Sequence, residues 1–398
     1  MKPLYLDYHA TTPVDPRVLA DMLPFFTEQF GNPHSKQHAW GWEARDAVDR
    51  ARAQVAALIN ASPSEVVFTS GATESSNLAL RGAMDARGGL ARRSLGEGGN
   101  HVITVATEHK SVLDVCRGFE QQGCAVTVLG VGRDGLIDLE ALRAALTPRT
   151  RLVSVMAANN EIGTLQPIAA VGAIVRAHGA LFHTDAAQAI GKVPIDVRAM
   201  SIDLLSLTGH KFYGPKGCGA LFVRRMKPKL ALTPQVAGGG QENGLRSGTL
   251  NVPGIVGLGR AAEICRLEMA EESARLASLR DRLLDGLRAR LSDVRVNGSL
   301  EHRLPHNLHV SFDGIEGEAL LMALGDLAVS TGSACASGSQ AVSHVMAAIG
   351  ATSDHASASI RFGLGRTTTG DEIDFAIDRV ATVVSALRKG AVSNVGHG

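Results

Sequence analysis

Between about Ser64 and Arg224, short apolar runs alternate with amphipathic helical stretches, and this alternation constrains the fold more than any other feature. The runs are Val66–Thr69, His101–Ala106, Ala125–Leu129, Leu152–Met156, Leu181–Thr184, Leu204–Leu207 and Ala220–Val223. Helical patterns lie between several of them, at Ser111–Gln121, Asp138–Leu146 and Pro167–His178. Strands joined through helices need crossover connections, which lay the strands parallel and cover both faces of the sheet. The expected class is therefore α/β, with a mostly parallel central sheet covered by helices. Downstream, Leu276, Leu279, Leu283, Leu287 and Leu291 keep the spacing of one buried helix face. That helix would lead into a smaller α+β domain holding strands Leu308–Phe312 and Ser359–Phe362 and a closing helix from Asp371 to Leu387. A length of 398 residues agrees with two domains.

Composition narrows the class of function. The formal net charge of +1 gives no electrostatic case for nucleic acid or an anionic membrane. No apolar stretch approaches the ~20 residues of a membrane span, and the N-terminus turns polar too early for a signal peptide. The five cysteines, at 116, 124, 218, 265 and 335, are odd in number and contain no Cys-x-x-Cys. That argues against a disulfide framework or a metal site and for a reducing cytoplasm. The glycine-rich stretch Gly88–Gly99 reads as an insertion without chemistry, and the tail after Lys389 has few apolar residues for docking. Gly130-Val131-Gly132-Arg133-Asp134-Gly135 matches a dinucleotide-binding pattern. However, Leu136 and Ile137 separate it from the next helix, whose expected N-cap is Asp138, so dinucleotide binding is rejected.

The chemistry concentrates at strand ends. Phe182-His183-Thr184-Asp185 closes one apolar run, and Thr208-Gly209-His210-Lys211 closes another. A strand-end aspartate followed by a lysine fits a pyridoxal phosphate site: the carboxylate keeps the pyridine nitrogen protonated and the lysine carries the aldehyde as a Schiff base. Taken singly, each could be a solvated surface charge. Val66–Thr69 runs into Ser70-Gly71-Ala72-Thr73-Glu74-Ser75, where backbone amides at a helix start suit a phosphate, or Thr73 or Ser75 simply caps the helix. His109 ends a third strand and would stack on a ring, move protons or serve structure. Asn160 ends a fourth, within reach of a phenolic oxygen. Ligands in such sheets collect at the carboxyl ends of strands. Cys335, among small residues in Ser330–Ser339, has the setting of an exposed thiol, with Cys218 as its rival.

The segments LDYHATTPVDPRV, FGNPHS, VVFTSGATES, TEHKSVLD, NNEIG, HTDAAQ, GHKFYGPKG, RSGT, STGSACASGS and SIRFGLGR, in this order from Tyr5 to Arg366, resemble the cysteine desulfurases. The likeness is closest to the housekeeping iron–sulfur-cluster and nitrogen-fixation branch, whose long loop carries Gly-Ser-Ala-Cys. It implies a fold-type I pyridoxal phosphate homodimer that takes sulfur from L-cysteine and releases L-alanine. Residues 16–255 would form the large cofactor-binding domain, and residues 1–15 with 256–398 the small one. By the same resemblance Lys211 holds the cofactor aldehyde, Asp185 pairs with its ring nitrogen and His109 stacks on the ring. Asn160 and Gln188 contact the phenolic oxygen. Ala72, Thr73, Thr208 and His210 hold the phosphate, with Thr249 reaching across from the partner subunit. Arg361, with Asn160 beside it, binds the substrate, and Cys335 becomes a persulfide that serves a sulfur-acceptor protein, an iron–sulfur scaffold or a sulfur relay. A selenocysteine lyase or aminotransferase of the same fold is the alternative. Thr208 stands where the family often has serine, and Gln241-Glu242-Asn243 lacks the histidine and arginine of the closest relatives.

Overall fold

The computed structural model describes residues 2–85, 99–225, 230–331 and 343–395. Its strands are β1 (Leu4–Tyr5), β2 (Val66–Thr69), β3 (His101–Val105), β4 (Ala125–Leu129), β5 (Thr150–Ser154), β6 (Leu181–Asp185), β7 (Leu204–Thr208) and β8 (Gly219–Val223), then β9 (Val294–Val296), β10 (Asn307–Phe312), β11 (Leu327–Ala328) and β12 (Ser359–Gly363). The helices are α1 (Pro16–Met22), α2 (Pro24–Thr27), α3 (Ala39–Leu58), α4 (Ala72–Asp85), α5 (Lys110–Gln121), α6 (Leu139–Ala145), α7 (Ile168–His178) and α8 (Val252–Arg290). They continue with α9 (Gly317–Ala323), α10 (His344–Ala348), α11 (Ser353–Ser357) and α12 (Gly370–Val395).

The main sheet has the order β2-β8-β7-β6-β5-β3-β4. Strands β4, β3, β5, β6 and β7 pair in parallel, whereas β8 runs antiparallel to both β7 and β2. Consequently β2, β3, β5, β6 and β7 all end at the same edge of the sheet. Side-chain alternation divides the strands between two cores. Phe68, Ile103, Val153, Phe182, Leu205 and Phe222 face one core, with α3, α7 and the first half of α8. Val67, Val102, Leu152, Leu181, Leu204 and Leu221 face the other, against Leu78 of α4 and Val112 and Phe119 of α5.

A further core joins Leu6 to the second half of α8 (Leu276, Leu283, Leu287), β10, β12 and α12. Thus the leucine spacing foreseen for α8 is buried as expected, with Leu279 partly buried against the same core. Helix α12 differs from expectation: it starts at Gly370 and runs to Val395, past the expected end at Leu387. A helix anchored by Val380 and Val384 absorbs Gly390, since glycine in a helix interior costs only about 1 kcal/mol. Gly88–Gly98 of the glycine-rich stretch lie outside the described residues. The rejected glycine motif is a turn: Gly132 N–H donates to Leu136 O at 2.9 Å, Gly135 has φ +78°, and Asp138 caps α6 through Glu140 N–H. Among the described residues no helix is long and apolar enough to cross a membrane.

Candidate active site

The shared edge of β2, β3, β5, β6 and β7 opens on a cavity of about 670 Å³. Ala72, Thr73, His109, Asn160, Asp185, Gln188, Thr208, His210, Lys211 and Arg361, ten of the residues singled out from the sequence, all line it. They come from segments nearly 300 residues apart, which the main sheet gathers together with β12, the source of Arg361.

Lys211 closes a single 3-10 turn, Gly209–Lys211, that leaves β7. Its Nζ donates to the backbone oxygens of His9 and Ala10, the latter at 2.9 Å, so the amine is held by carbonyl dipoles at the cavity wall. Next to it, burial with Lys211 and Lys216 pushes His210 down to about 4, leaving a neutral ring. The His210 ring nitrogen Nδ1 lies 3.1 Å from Thr11 Oγ1. Thr208 Oγ1 donates to Cys218 O at 3.3 Å. Opposite, the turn Ser70–Gly71 leads into the N-terminus of α4. A Cβ on Gly71, whose φ is +153°, would meet Thr208 Oγ1 at 3.5 Å, so a bare backbone faces that hydroxyl.

Asp185 is buried at the end of β6, where its Oδ1 accepts the Ala187 N–H at 2.9 Å. Burial pushes this carboxyl up, against the opposing pull of the Ala187 N–H, His109 and Lys211. A buried carboxylate of this kind is stabilised by a cationic partner, and a protonated ring nitrogen would supply one. His109 is the N-cap of α5: its Nδ1 accepts the Ser111 N–H at 3.1 Å and faces Ser111 Oγ at 2.9 Å. Because Nδ1 accepts, the neutral ring carries its proton on Nε2, and burial pulls the ring below its ordinary value. Arg361, buried on β12, pairs with Asp7 at 2.7 Å and donates to Asn160 O at 2.7 Å. Its Nε has no hydrogen-bond partner among the described residues.

Two expected residues are not among those lining the cavity. Thr249 is exposed on the loop before α8. Cys335 lies outside the described residues. Three of the other cysteines, Cys116, Cys218 and Cys265, are poor nucleophiles. Burial pushes Cys116 up to about 12 and Cys218 and Cys265 up to about 11, and Cys124 is half-buried.

Sequence reasoning missed the N-terminal contribution. Asp7, which holds Arg361, and the His9 and Ala10 carbonyls, which hold Lys211, come from the stretch after β1. It missed Glu161 as well, whose carboxylate accepts the Ser343 hydroxyl. The signal was there in the segments LDYHATTPVDPRV and NNEIG, which were read for their likeness and not for these contacts.

The aminotransferase class-V family matches residues 4–375 of the chain. The cysteine desulfurase IscS of Anaeromyxobacter sp. (strain K) is 56% identical over 387 residues, covering 97% of this chain and 94% of the relative. A second cysteine desulfurase IscS, from Methylococcus capsulatus, is 55% identical with the same coverage. Among solved structures, a NifS-like protein superposes with a TM-score of 0.87 at 38% identity, covering 97% of this chain and all of that one.

Proposed function

The chain belongs to the cysteine desulfurase family of the class-V aminotransferases, and on that premise we propose that this cavity binds pyridoxal phosphate and converts L-cysteine to L-alanine, passing the sulfur to Cys335. One observation carries the reading: Lys211 and Asp185, from the ends of adjacent strands, open on a single cavity. The residues fit the cofactor. The amides at the start of α4 near Ala72 and Thr73, the Thr208 hydroxyl and neutral His210 suit its phosphate. Buried Asp185 suits its ring nitrogen, Lys211 its aldehyde, His109 its ring face, and the amides of Asn160 and Gln188 its phenolic oxygen. Bound there, pyridoxal phosphate supplies an aldehyde for amine capture and a ring that takes up electron density from Cα.

The chain's own groups do the rest. Lys211, displaced by the substrate amine, is free to move the Cα proton. Arg361, its two Nη groups fixed by Asp7 and Asn160 O, takes the substrate carboxylate. The Cys335 thiolate attacks the substrate sulfur: an S–S bond forms as the Cβ–S bond breaks. The electron pair stays with the carbon side, which takes up a proton to complete the methyl group of alanine. The burial and raised pKa of Cys116, Cys218 and Cys265 support Cys335 as the nucleophile.

The same reading makes the protein a homodimer. Leu23, Phe26, Phe30, Trp40 and Trp42 are large exposed apolar side chains within one short stretch, and Phe30 and Trp40 lie ring to ring at 4.9 Å. Exposed Thr249 would reach the partner's phosphate. We also read the core around Leu6, α8, β10 and α12 as the small domain, residues 1–15 with 256–398, beside a large domain of 16–255. The acceptor would be an iron–sulfur scaffold or a sulfur-relay protein, in the cytoplasm.

The test is to load the protein with pyridoxal phosphate, reduce it with borohydride and map the peptides. The reading expects a pyridoxyl group on Lys211. A pyridoxyl group on Lys110 or Lys216 instead would refute the assignment.

A further inference from the structure

A directed chain of hydrogen bonds runs from Arg303 to Gln188. Arg303 is buried, and its guanidinium meets only neutral acceptors in these contacts: Nε donates to Ser299 O at 2.7 Å, Nη2 to Asn297 O, and Nη1 to Asn307 Oδ1 at 2.6 Å. Arginine has donors and no acceptor, so this last bond fixes the Asn307 amide. Its Nδ2 then points away and donates to Glu161 O at 3.1 Å and to His9 Nε2 at 3.0 Å. Since Nε2 accepts, the neutral His9 ring carries its proton on Nδ1. That proton goes to Gln188 Oε1 at 3.0 Å. Gln188 Nε2 in turn donates one hydrogen to His9 O at 3.1 Å. Each link is determined by the one before it, starting from a residue whose polarity is not in doubt.

We infer that Arg303, Asn307 and His9 are positioning residues that lock the Gln188 amide with its second N–H, rather than its carbonyl, presented to the cavity. The inference rests on the proposed seat of pyridoxal phosphate in that cavity. Two further features hold the relay in place. The His306 ring stacks on His9 at 4.3 Å between centroids, 26° from parallel, which fixes the plane of the His9 ring. Burial, Arg361, Lys211 and Lys192 drive His9 well below its ordinary value, against the pull of Gln188, so the ring stays neutral with one proton. The carbonyl of His9 also accepts the Lys211 amine, so one residue sets the geometry of both Gln188 and Lys211.

An N–H aimed at a phenolic oxygen favours its anionic form, so loss of that donor raises the pH at which the bound chromophore takes up a proton. The experiment loads wild type, Asn307→Ser, His9→Leu and His9→Asn with pyridoxal phosphate and follows cofactor absorbance against pH. Neither Asn307→Ser nor His9→Leu alters Gln188 itself, and every variant keeps the His9 backbone carbonyl. Asn307→Ser and His9→Leu are expected to raise the absorbance midpoint by roughly half to one pH unit, the worth of one hydrogen bond. His9→Asn can restore an N–H where Nδ1–H stood but loses the acceptor for Asn307 Nδ2, so its midpoint is expected to lie between those of wild type and His9→Leu. The relay is overturned if Asn307→Ser and His9→Leu, folded by circular dichroism, keep the wild-type midpoint, or if His9→Asn shifts as far as His9→Leu. Should one of the two loss variants not fold, the other is compared with His9→Asn by the same criterion. Wild-type protein that takes up no pyridoxal phosphate would instead refute the proposed seat, a separate failure visible before any variant is made.

Discussion

Glu161 stands one residue beyond Asn160, and burial pushes its carboxyl up to about 7, against the opposing pull of the Ser343 hydroxyl, Arg361 and Lys110. An ordinary glutamate, as in the unfolded chain, titrates near 4.5. The folded state therefore prefers the protonated form. The stability this confers is fully present below the unfolded value and is lost as pH rises through the folded one. The window is pH 4.5 to 7, and the loss amounts to roughly 3 kcal/mol at most. Glu161→Gln keeps an oxygen for the Ser343 hydroxyl and removes the titration. We expect urea midpoints that match wild type at pH 4.5 and exceed it at pH 8; equal midpoints at both would contradict the assigned burial cost. Lys211 and Asp185 were legible in the sequence because each closely follows an apolar run, Asp185 directly and Lys211 after Thr208, Gly209 and His210, a local signal. Asp7 and His9 were not, because nothing local announces that a side chain near the N-terminus will meet Arg361 or Asn307. Polar partnership across 300 residues is written only in the folded topology.

The apolar runs exposed the elements more fully than they exposed their pairing. All seven strands of the main sheet lie within two residues of their expected bounds, since each is a short apolar run; all but the edge strand β4 are almost wholly buried. The antiparallel course of β8 had a signal that the runs themselves do not contain. The link from Thr208 to Gly219 is too short to carry a helical crossover, which needs a dozen residues or more. That reversal has a consequence at the site. It packs Gly219 so tightly between β7 and the start of the α4 turn that a Cβ there would lie 2.5 Å from Leu207 O and 2.6 Å from Gly71 Cα. Both neighbours are backbone and cannot swing aside. Gly219→Ala should therefore cost about 1–3 kcal/mol of stability. It should also weaken pyridoxal phosphate binding, because the Gly71 turn and Thr208 must separate. Urea denaturation and fluorescence titration with the cofactor measure the two effects, and unchanged values in both would show that the cradle is looser than described.

Helix α8 ties the whole molecule together: Ile255, Leu258 and Ile264 sit in the main core, while Leu276, Leu283 and Leu287 sit in the core around β10 and α12. Arg361 arrives from that second core to complete a cavity built by the main sheet. A site assembled in this way depends on both cores staying in register. If the exposed surface from Leu23 to Trp42 is the proposed dimer contact, Phe26→Glu with Phe30→Glu should weaken self-association at least about tenfold in sedimentation, since buried aromatic anchors dominate such contacts. A wild type that is monomeric at micromolar concentration would contradict it. The most direct test of the central claim is mass mapping of the holoenzyme after one addition of L-cysteine. The account predicts one extra sulfur on the peptide bearing Cys335, removable by reductant as sulfide and formed together with alanine. It also predicts none on the peptides of Cys116, Cys124, Cys218 or Cys265. Extra sulfur on Cys218, or alanine made at the wild-type rate by Cys335→Ser, would contradict it.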